Sequence, residues 1–245
     1  MTNYQLSDRV EYQIRENLNL YDSPQCDRLA TQAAAGRHLR VVLSFPATVQ
    51  TKEESTTVRV RLCEDDYPGW FALSDVEFLE VATTPYQAKV VSAAEIQEKL
   101  PSAIAFTYNA MNQPNHYLWG GTVSPHYDCS GLMQAAFASV GIWLPRDAYQ
   151  QEAFTQPVDL ESLQPGDLVF FGPPQKATHV GLYLGEGRYI HSSGKEQGRN
   201  GIGIDSLSPQ GDRIGQAYYQ QLRGSGRVVA SYQPTFWATL EKSQA

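Results

Sequence analysis

Along the first third of the chain, hydrophobic and polar positions alternate in short runs. Thr57-Val58-Arg59-Val60-Arg61-Leu62 is the clearest, with every second residue aliphatic. That is the period-two signature of a strand with one buried face. Leu39 to Phe45 is another short apolar run, closed by Pro46. Between such runs lie Tyr21-Asp22-Ser23-Pro24 and Asp65-Asp66-Tyr67-Pro68-Gly69, where Asp, Ser, Pro and Gly favour turns. Short strands at this spacing predict a small barrel or sandwich.

Near residue 90 the period lengthens. Ser92-Ala93-Ala94-Glu95 has the form of a capping box, so a helix is expected from there to about Met111, with a break or a second start at Pro101. Thr83-Thr84-Pro85 reads as part of a linker, and Asn112 to His126 as a loop. Asp128-Cys129-Ser130-Gly131 opens another helix. Its broad apolar face is Leu132, Met133, Ala135, Ala136, Phe137 and Val140, and Gly141 is a natural stop. A further helical stretch follows Pro145 and runs to about Phe154. Strands return at Gly166–Phe171 and in a hairpin, His179–Leu184 with Arg188–His191, around Gly185-Glu186-Gly187. Ser192 to Gly203 is expected as a long loop, and Tyr218-Tyr219 and Arg227-Val228-Val229 as the last strands. The fold class is therefore α+β, a small all-β domain followed by helices and an antiparallel sheet. The expected divisions are a first domain at 1–82, a linker at 83–94, a second domain at 95–235 and a tail at 236–245.

Composition narrows the function classes. Nineteen Lys and Arg against 26 Asp and Glu leave a net charge of −7 over 245 residues, with no basic block, which argues against a nucleic-acid partner. No apolar run approaches the roughly 18 residues of a membrane span. The N-terminus lacks a basic-then-apolar secretory run, so a reduced, cytoplasmic, soluble protein is expected; the sequence leaves the oligomeric state open, with a monomer favoured. Three cysteines are too few for a disulfide scaffold. Cys26 and Cys63 are expected as buried structural thiols, with a disulfide between them as the alternative.

Cys129 stands apart because of its position. At a helix N-terminus, unpaired N–H groups and the helix dipole favour a thiolate, the reactive form of cysteine. His179 and His191 end adjacent strands of the expected hairpin and so lie at one end of the sheet. The three fit a nucleophile, base and orienter: His179 takes the thiol proton, and His191 fixes the tautomer of His179 by accepting from its other ring nitrogen. No Asp or Asn is required as a further member. The rival reading, a metal site from the same three residues, lacks the Cys-x-x-Cys or His-Glu-x-x-His spacing of common zinc sites. Neither metal nor organic cofactor is expected.

Five segments in order carry a resemblance: Tyr117-Leu118-Trp119-Gly120-Gly121, Asp128-Cys129-Ser130-Gly131-Leu132, Leu163 to Phe171, His179-Val180-Gly181-Leu182-Tyr183 and Tyr189-Ile190-His191-Ser192. Together they resemble the NlpC/p60 cysteine peptidases, papain-like bacterial enzymes that cut murein stem peptides, over roughly residues 95–232. The resemblance implies Cys129 as nucleophile, His179 as base and His191 as third member. Tyr117 matches a position lining the active site, where its hydroxyl would donate to an oxyanion beside the Cys129 N–H; a structural aromatic is the other reading. The first domain resembles a bacterial SH3-like domain, through the opening at Leu18-Asn19-Leu20-Tyr21 and the turn Tyr67-Pro68-Gly69-Trp70.

The resemblance implies a cut between γ-D-glutamate and a diamino acid. Carboxylates near the cleft would select the ammonium of a free N-terminal L-Ala. Asp128 and Ser130, with Tyr67 of the acidic loop Glu64-Asp65-Asp66-Tyr67 and with Ser192, form the expected substrate-binding set. For Glu64 and Asp65 a merely solvated turn is the competing expectation. The function expected is release of L-Ala-γ-D-Glu from murein peptides in recycling. The alternatives are a murein-binding protein with an inert papain-like domain, a hydrolase of intact peptidoglycan, and acyl transfer by the same thiol.

Overall fold

The computed structural model describes residues 6–42 and 56–236. The end of the expected apolar run at residues 43–45, Pro46, and most of the expected tail lie outside them. The chain divides into two compact units, residues 1–88 with 233–245, and residues 89–232.

The first unit is one antiparallel sheet of seven short strands: β1 (Glu11–Ile14), β2 (Leu18–Tyr21), β3 (Leu29–Ala33), β4 (His38–Val41), β5 (Thr57–Leu62), β6 (Pro68–Ala72) and β7 (Leu79–Val81). They run in the order β3-β2-β6-β5-β4-β1-β7. Alternation is what builds its interior: Leu18 and Leu20, Leu39 and Val41, and Val60 and Leu62 all face one core with Ile14 and Phe71, while Asn19 and Arg59 face out. The acidic loop is not a solvated turn. Glu64 and Asp65 are buried, and Arg37 lies between them, its Nε 3.1 Å from Glu64 and its Nη2 3.0 Å from Asp65. Glu64 also accepts the His38 N–H at 2.6 Å. Unpaired carboxylates could not be buried at tolerable cost; a shared guanidinium makes the arrangement possible. Asp66 accepts the N–H groups of Thr235 and Phe236, which ties the returning chain to this unit.

Cys26 and Cys63 are both free, so the disulfide alternative falls. Cys63 is buried as expected, but Cys26 is only half-buried, in a turn with positive φ.

The second unit opens with α1 (Ala93–Met111), which starts at the capping box: Glu95 N–H donates to Ser92 Oγ, and Ser92 N–H to Glu95 Oε2. Contrary to expectation, α1 continues through Pro101. Pro101 and Gln97, whose carbonyl loses its helical donor, are both exposed, so water can solvate that carbonyl. Meanwhile Ile96, Leu100, Ala103, Thr107 and Ala110 hold the opposite face in the core. The expected loop at 112–126 contains a small ribbon, β8 (Thr122–Val123) with β9 (His126–Tyr127).

Helix α2 (Cys129–Ala138) follows, then α3 (Ala148–Phe154), β10 (Gln156–Val158), β11 (Leu168–Phe171), β12 (His179–Gly185), β13 (Arg188–Ser193), β14 (Gly201–Ser206), α4 (Arg213–Tyr219) and β15 (Leu222–Arg227). The six strands form one antiparallel sheet, β10-β15-β11-β12-β13-β14. Leu132, Met133, Ala136 and Phe137 of α2 are fully buried in a core with Leu168, Phe170, Val180, Leu182 and Ile190. At ~1.5–3 kcal/mol for each large apolar side chain, this burial outweighs the ~1 kcal/mol that a helical glycine costs.

Two expectations fail in the last third. The loop at 192–203 is shorter, because β13 runs to Ser193 and β14 begins at Gly201. Tyr218 and Tyr219 close a helix instead of forming a strand, and the last strand ends at Arg227.

Candidate active site

The site is assembled where α2 begins beside β12 and β13. Asp128 is the N-cap, its Oδ1 accepting the Gly131 N–H at 2.7 Å, and Cys129 is the first helical residue. A Cβ on Gly131 would come within 2.0 Å of the Gly121 carbonyl oxygen, so only glycine lets the Tyr117–Gly121 segment close on this turn. The Asp128 charge is answered by Arg146, which is 1% exposed. Its Nη1 and Nη2 lie 3.2 and 2.6 Å from the two carboxylate oxygens. Arg146 also donates to Ser130 Oγ at 3.0 Å, and Gly120 N–H donates to Asp128 at 2.9 Å.

The structure brings the two histidines together. His179 Nε2 lies 2.7 Å from His191 Nδ1. The row then continues: His191 Nε2 lies 2.6 Å from Asp205 Oδ2, and Asp205 pairs with Arg199. His191 is fully buried, and Asp205 is buried behind it. Tyr218 stacks on His179, with ring centroids 4.2 Å apart and planes 22° apart, and its hydroxyl lies 2.8 Å from Ser193 Oγ. The Cys129 sulfur accepts from the backbone N–H groups of Val180 and Ser130. Val180 directly follows His179, so the thiol sits at the His179 end of the row.

Each charge of the pair is disfavoured alone. Burial, then repulsion by Asp128, pushes the Cys129 thiol up to about 12, while the two backbone N–H groups and Arg146 pull the other way. Burial, with His191 adding to it, holds His179 well below the ordinary histidine value. Burial also lowers His191, with Asp205 opposing. A lone thiolate and a lone imidazolium are both costly here. Proton transfer from sulfur to imidazole makes the two charges together, where each stabilises the other. This replaces the expectation of a thiolate favoured simply by its place at a helix end.

Tyr117 is half-buried and close enough to Cys129 for the charge of each to act on the other; burial and that charge push its phenol up. Asp128 and Ser130 flank Cys129, but both are engaged in the fold as cap and Arg146 partner. Ser192 is buried and donates to the Tyr127 carbonyl at 2.6 Å. Tyr67 belongs to the first unit and packs against that unit's core. Asp205, Arg146 and Tyr218 were not anticipated. Asp205 follows a Gly-Ile-Gly-Ile run whose first three residues fall in the expected loop, Arg146 opens the helical stretch expected after Pro145, and Tyr218 falls in an expected strand. The one available signal was a lone arginine following the apolar stretch Ile142-Trp143-Leu144-Pro145. Among the described residues, no group of three or more His, Cys, Asp or Glu forms a metal-binding array.

A thiol at the start of a buried helix, facing a histidine row on an antiparallel sheet, defines a papain-like α+β domain. Comparison with known families makes this specific: the NlpC/P60 family matches residues 114–223, and the bacterial dipeptidyl-peptidase Sh3 domain matches residues 20–76. The second unit thus carries an NlpC/P60 domain and the first a bacterial SH3 domain. Among curated relatives, a probable endopeptidase p60 of Listeria seeligeri is 39% identical over 112 residues, 46% of this chain and 19% of the relative. The bifunctional muramidase/DL-endopeptidase CwlT of Bacillus subtilis is 45% identical over 82 residues, 31% of this chain and 25% of the relative. The chain therefore spans about a quarter or less of these relatives. A solved NlpC/P60 family protein from Bacillus cereus aligns over 90% of this chain and 64% of its own, at 24% identity and a TM-score of 0.47.

Proposed function

We propose that this protein is a cysteine endopeptidase that hydrolyses the γ-D-glutamyl–diamino acid bond of murein peptides bearing a free N-terminal L-Ala, releasing L-Ala-γ-D-Glu. The observation that carries the reading is the buried row of Cys129, His179 and His191 at the mouth of α2. The name endopeptidase among relatives of the same domain, and the dipeptidyl-peptidase description of the SH3 family, support it.

The proposed steps use the groups around Cys129. Substrate displaces water and brings the γ-glutamyl carbonyl onto Cys129. The thiol proton passes to His179 as sulfur attacks, so nucleophile and acid form in one event. The Cys129 N–H, with the Tyr117 hydroxyl, donates to the oxyanion. His179 then protonates the leaving amine of the diamino acid, and a water deprotonated by His179 cleaves the thioester. Asp128 would receive the L-Ala ammonium while sharing its charge with Arg146. In this reading the physiological substrate is free peptide, and the role is recycling within the cytoplasm.

Mass spectrometry of products from L-Ala-γ-D-Glu-diamino acid peptides tests this. Free peptide is expected to yield the dipeptide, and the N-acetylated peptide to be cut at least about tenfold more slowly, the effect of ~1.4 kcal/mol of amine recognition. Equal cleavage of both would refute amine selection.

A further inference from the structure

We propose that Asp205 is the positioning residue of the catalytic row: its carboxylate fixes the ring protons of both histidines, and so leaves His179 Nδ1 as the lone pair that takes the thiol proton. The inference rests on the peptidase reading above and deepens it.

Donors and acceptors along the row allow one arrangement. A carboxylate only accepts. Asp205 lies 2.6 Å from His191 Nε2, so that nitrogen carries the hydrogen. Neutral His191 then has a bare Nδ1, which can only accept. His179 Nε2, 2.7 Å away, must be the donor and carries its own hydrogen. The remaining ring nitrogen of His179, Nδ1, is left unprotonated for the thiol. One buried carboxylate thus dictates three positions in sequence, the logic by which an orienting acid works in a serine triad, here passed through an additional imidazole.

The fold supports this assignment. His191 pairs with Gly203 and Tyr189 with Asp205 across β13 and β14, so His191 and Asp205 are diagonal neighbours on one face. A Cβ on Gly203 would strike the Arg199 guanidinium, at 1.9 Å from Nη1. The bare glycine lets Arg199 cross the strand to the second oxygen of Asp205. That ion pair occupies Oδ1 of the buried carboxylate and leaves Oδ2 to His191. The groups facing His191 are His179 from β12, Asp205 from β14, Tyr189 on its own strand, Tyr218 from α4, and Arg199 and Asp212 from the flanking loops.

The test is nitrogen-15 NMR of the histidine rings in the full chain, with the variants Asp205→Asn and Asp205→Glu. In the wild type at neutral pH, both His179 and His191 are expected as Nε2–H tautomers; Nδ1–H on His179 would overturn the proposal without any variant. Asp205→Asn, folded by circular dichroism, is expected to mix the tautomers and lower kcat by about 10- to 10³-fold with KM within about threefold, less than the ~10⁴ seen when an orienting acid contacts the base directly. Asp205→Glu is expected to recover part of that loss. Unchanged tautomers and kcat in Asp205→Asn would overturn the proposal. Iodoacetamide alkylation of Cys129, mapped by peptide to separate it from Cys26 and Cys63, reads the same base without substrate. A slower Cys129 reaction in Asp205→Asn supports the proposal even if the murein peptide is not the substrate, and an unchanged rate opposes it.

Discussion

Arg146 shows how much of the site depends on one side chain distant in sequence from Cys129. It is buried, answers both oxygens of Asp128, and holds the Ser130 hydroxyl. Replacing it with Met keeps the volume and leaves Asp128 buried and unpaired. Removing one member of such a pair costs about 3–5 kcal/mol. Urea unfolding of Arg146→Met is expected to show a loss of that order in the NlpC/P60 unit, and a loss under about 1 kcal/mol would show the pair to be dispensable. At this scale, the sequence readily announced residues whose chemistry depends on local position. Cys129 at a helix start and His179 at a strand start could be read from neighbours alone, whereas β13 runs two residues past His191, which was expected to end it. Arg146, Asp205 and Tyr218 act through partners 18, 14 and 39 positions away, and no local pattern marks such pairings.

Elements were legible where one periodicity ruled. The alternation of β5 and the capping box of α1 were both plain in the sequence and both present. Ser92→Ala removes the side chain that accepts the Glu95 N–H, and thermal unfolding is expected to show about 1 kcal/mol of lost stability; no loss would mean that packing of Ile96 and Leu100 alone holds the helix start. The misread elements have physical reasons. Pro101 was expected to break α1, but its orphaned carbonyl partner lies on the solvent face. The first half of β14 was expected as loop because Gly201 and Gly203 occupy inward positions of the strand. Those glycines leave room for Asn115 and Arg199, so the feature that hid the strand is what it does. α4 is only seven residues long, and its two tyrosines suit a strand equally well by propensity.

The two units of the molecule answer pH in opposite senses. Burial keeps His179 and His191 neutral, below the ordinary histidine value of 6.5. As pH falls below 6.5 the unfolded chain takes up protons that the folded NlpC/P60 unit refuses, so that unit loses stability. In the SH3 unit, the hydrogen bond to Glu64 raises His38. Its contribution is complete below 6.5 and is lost as pH rises through the raised value. Hydrogen-exchange protection, corrected for intrinsic rates and compared at about pH 5 and about pH 7.5, is expected to fall at acid pH in the NlpC/P60 unit relative to the SH3 unit. Parallel changes would contradict these assignments. The whole account nevertheless turns on one sulfur atom. The most direct measurement compares wild type with Cys129→Ala on free L-Ala-γ-D-Glu-diamino acid peptide, reading released L-Ala-γ-D-Glu by mass spectrometry. The account predicts dipeptide from the wild type and none from a folded Cys129→Ala. Release that persists in the variant, or a wild type that binds murein without cutting any peptide, would contradict it.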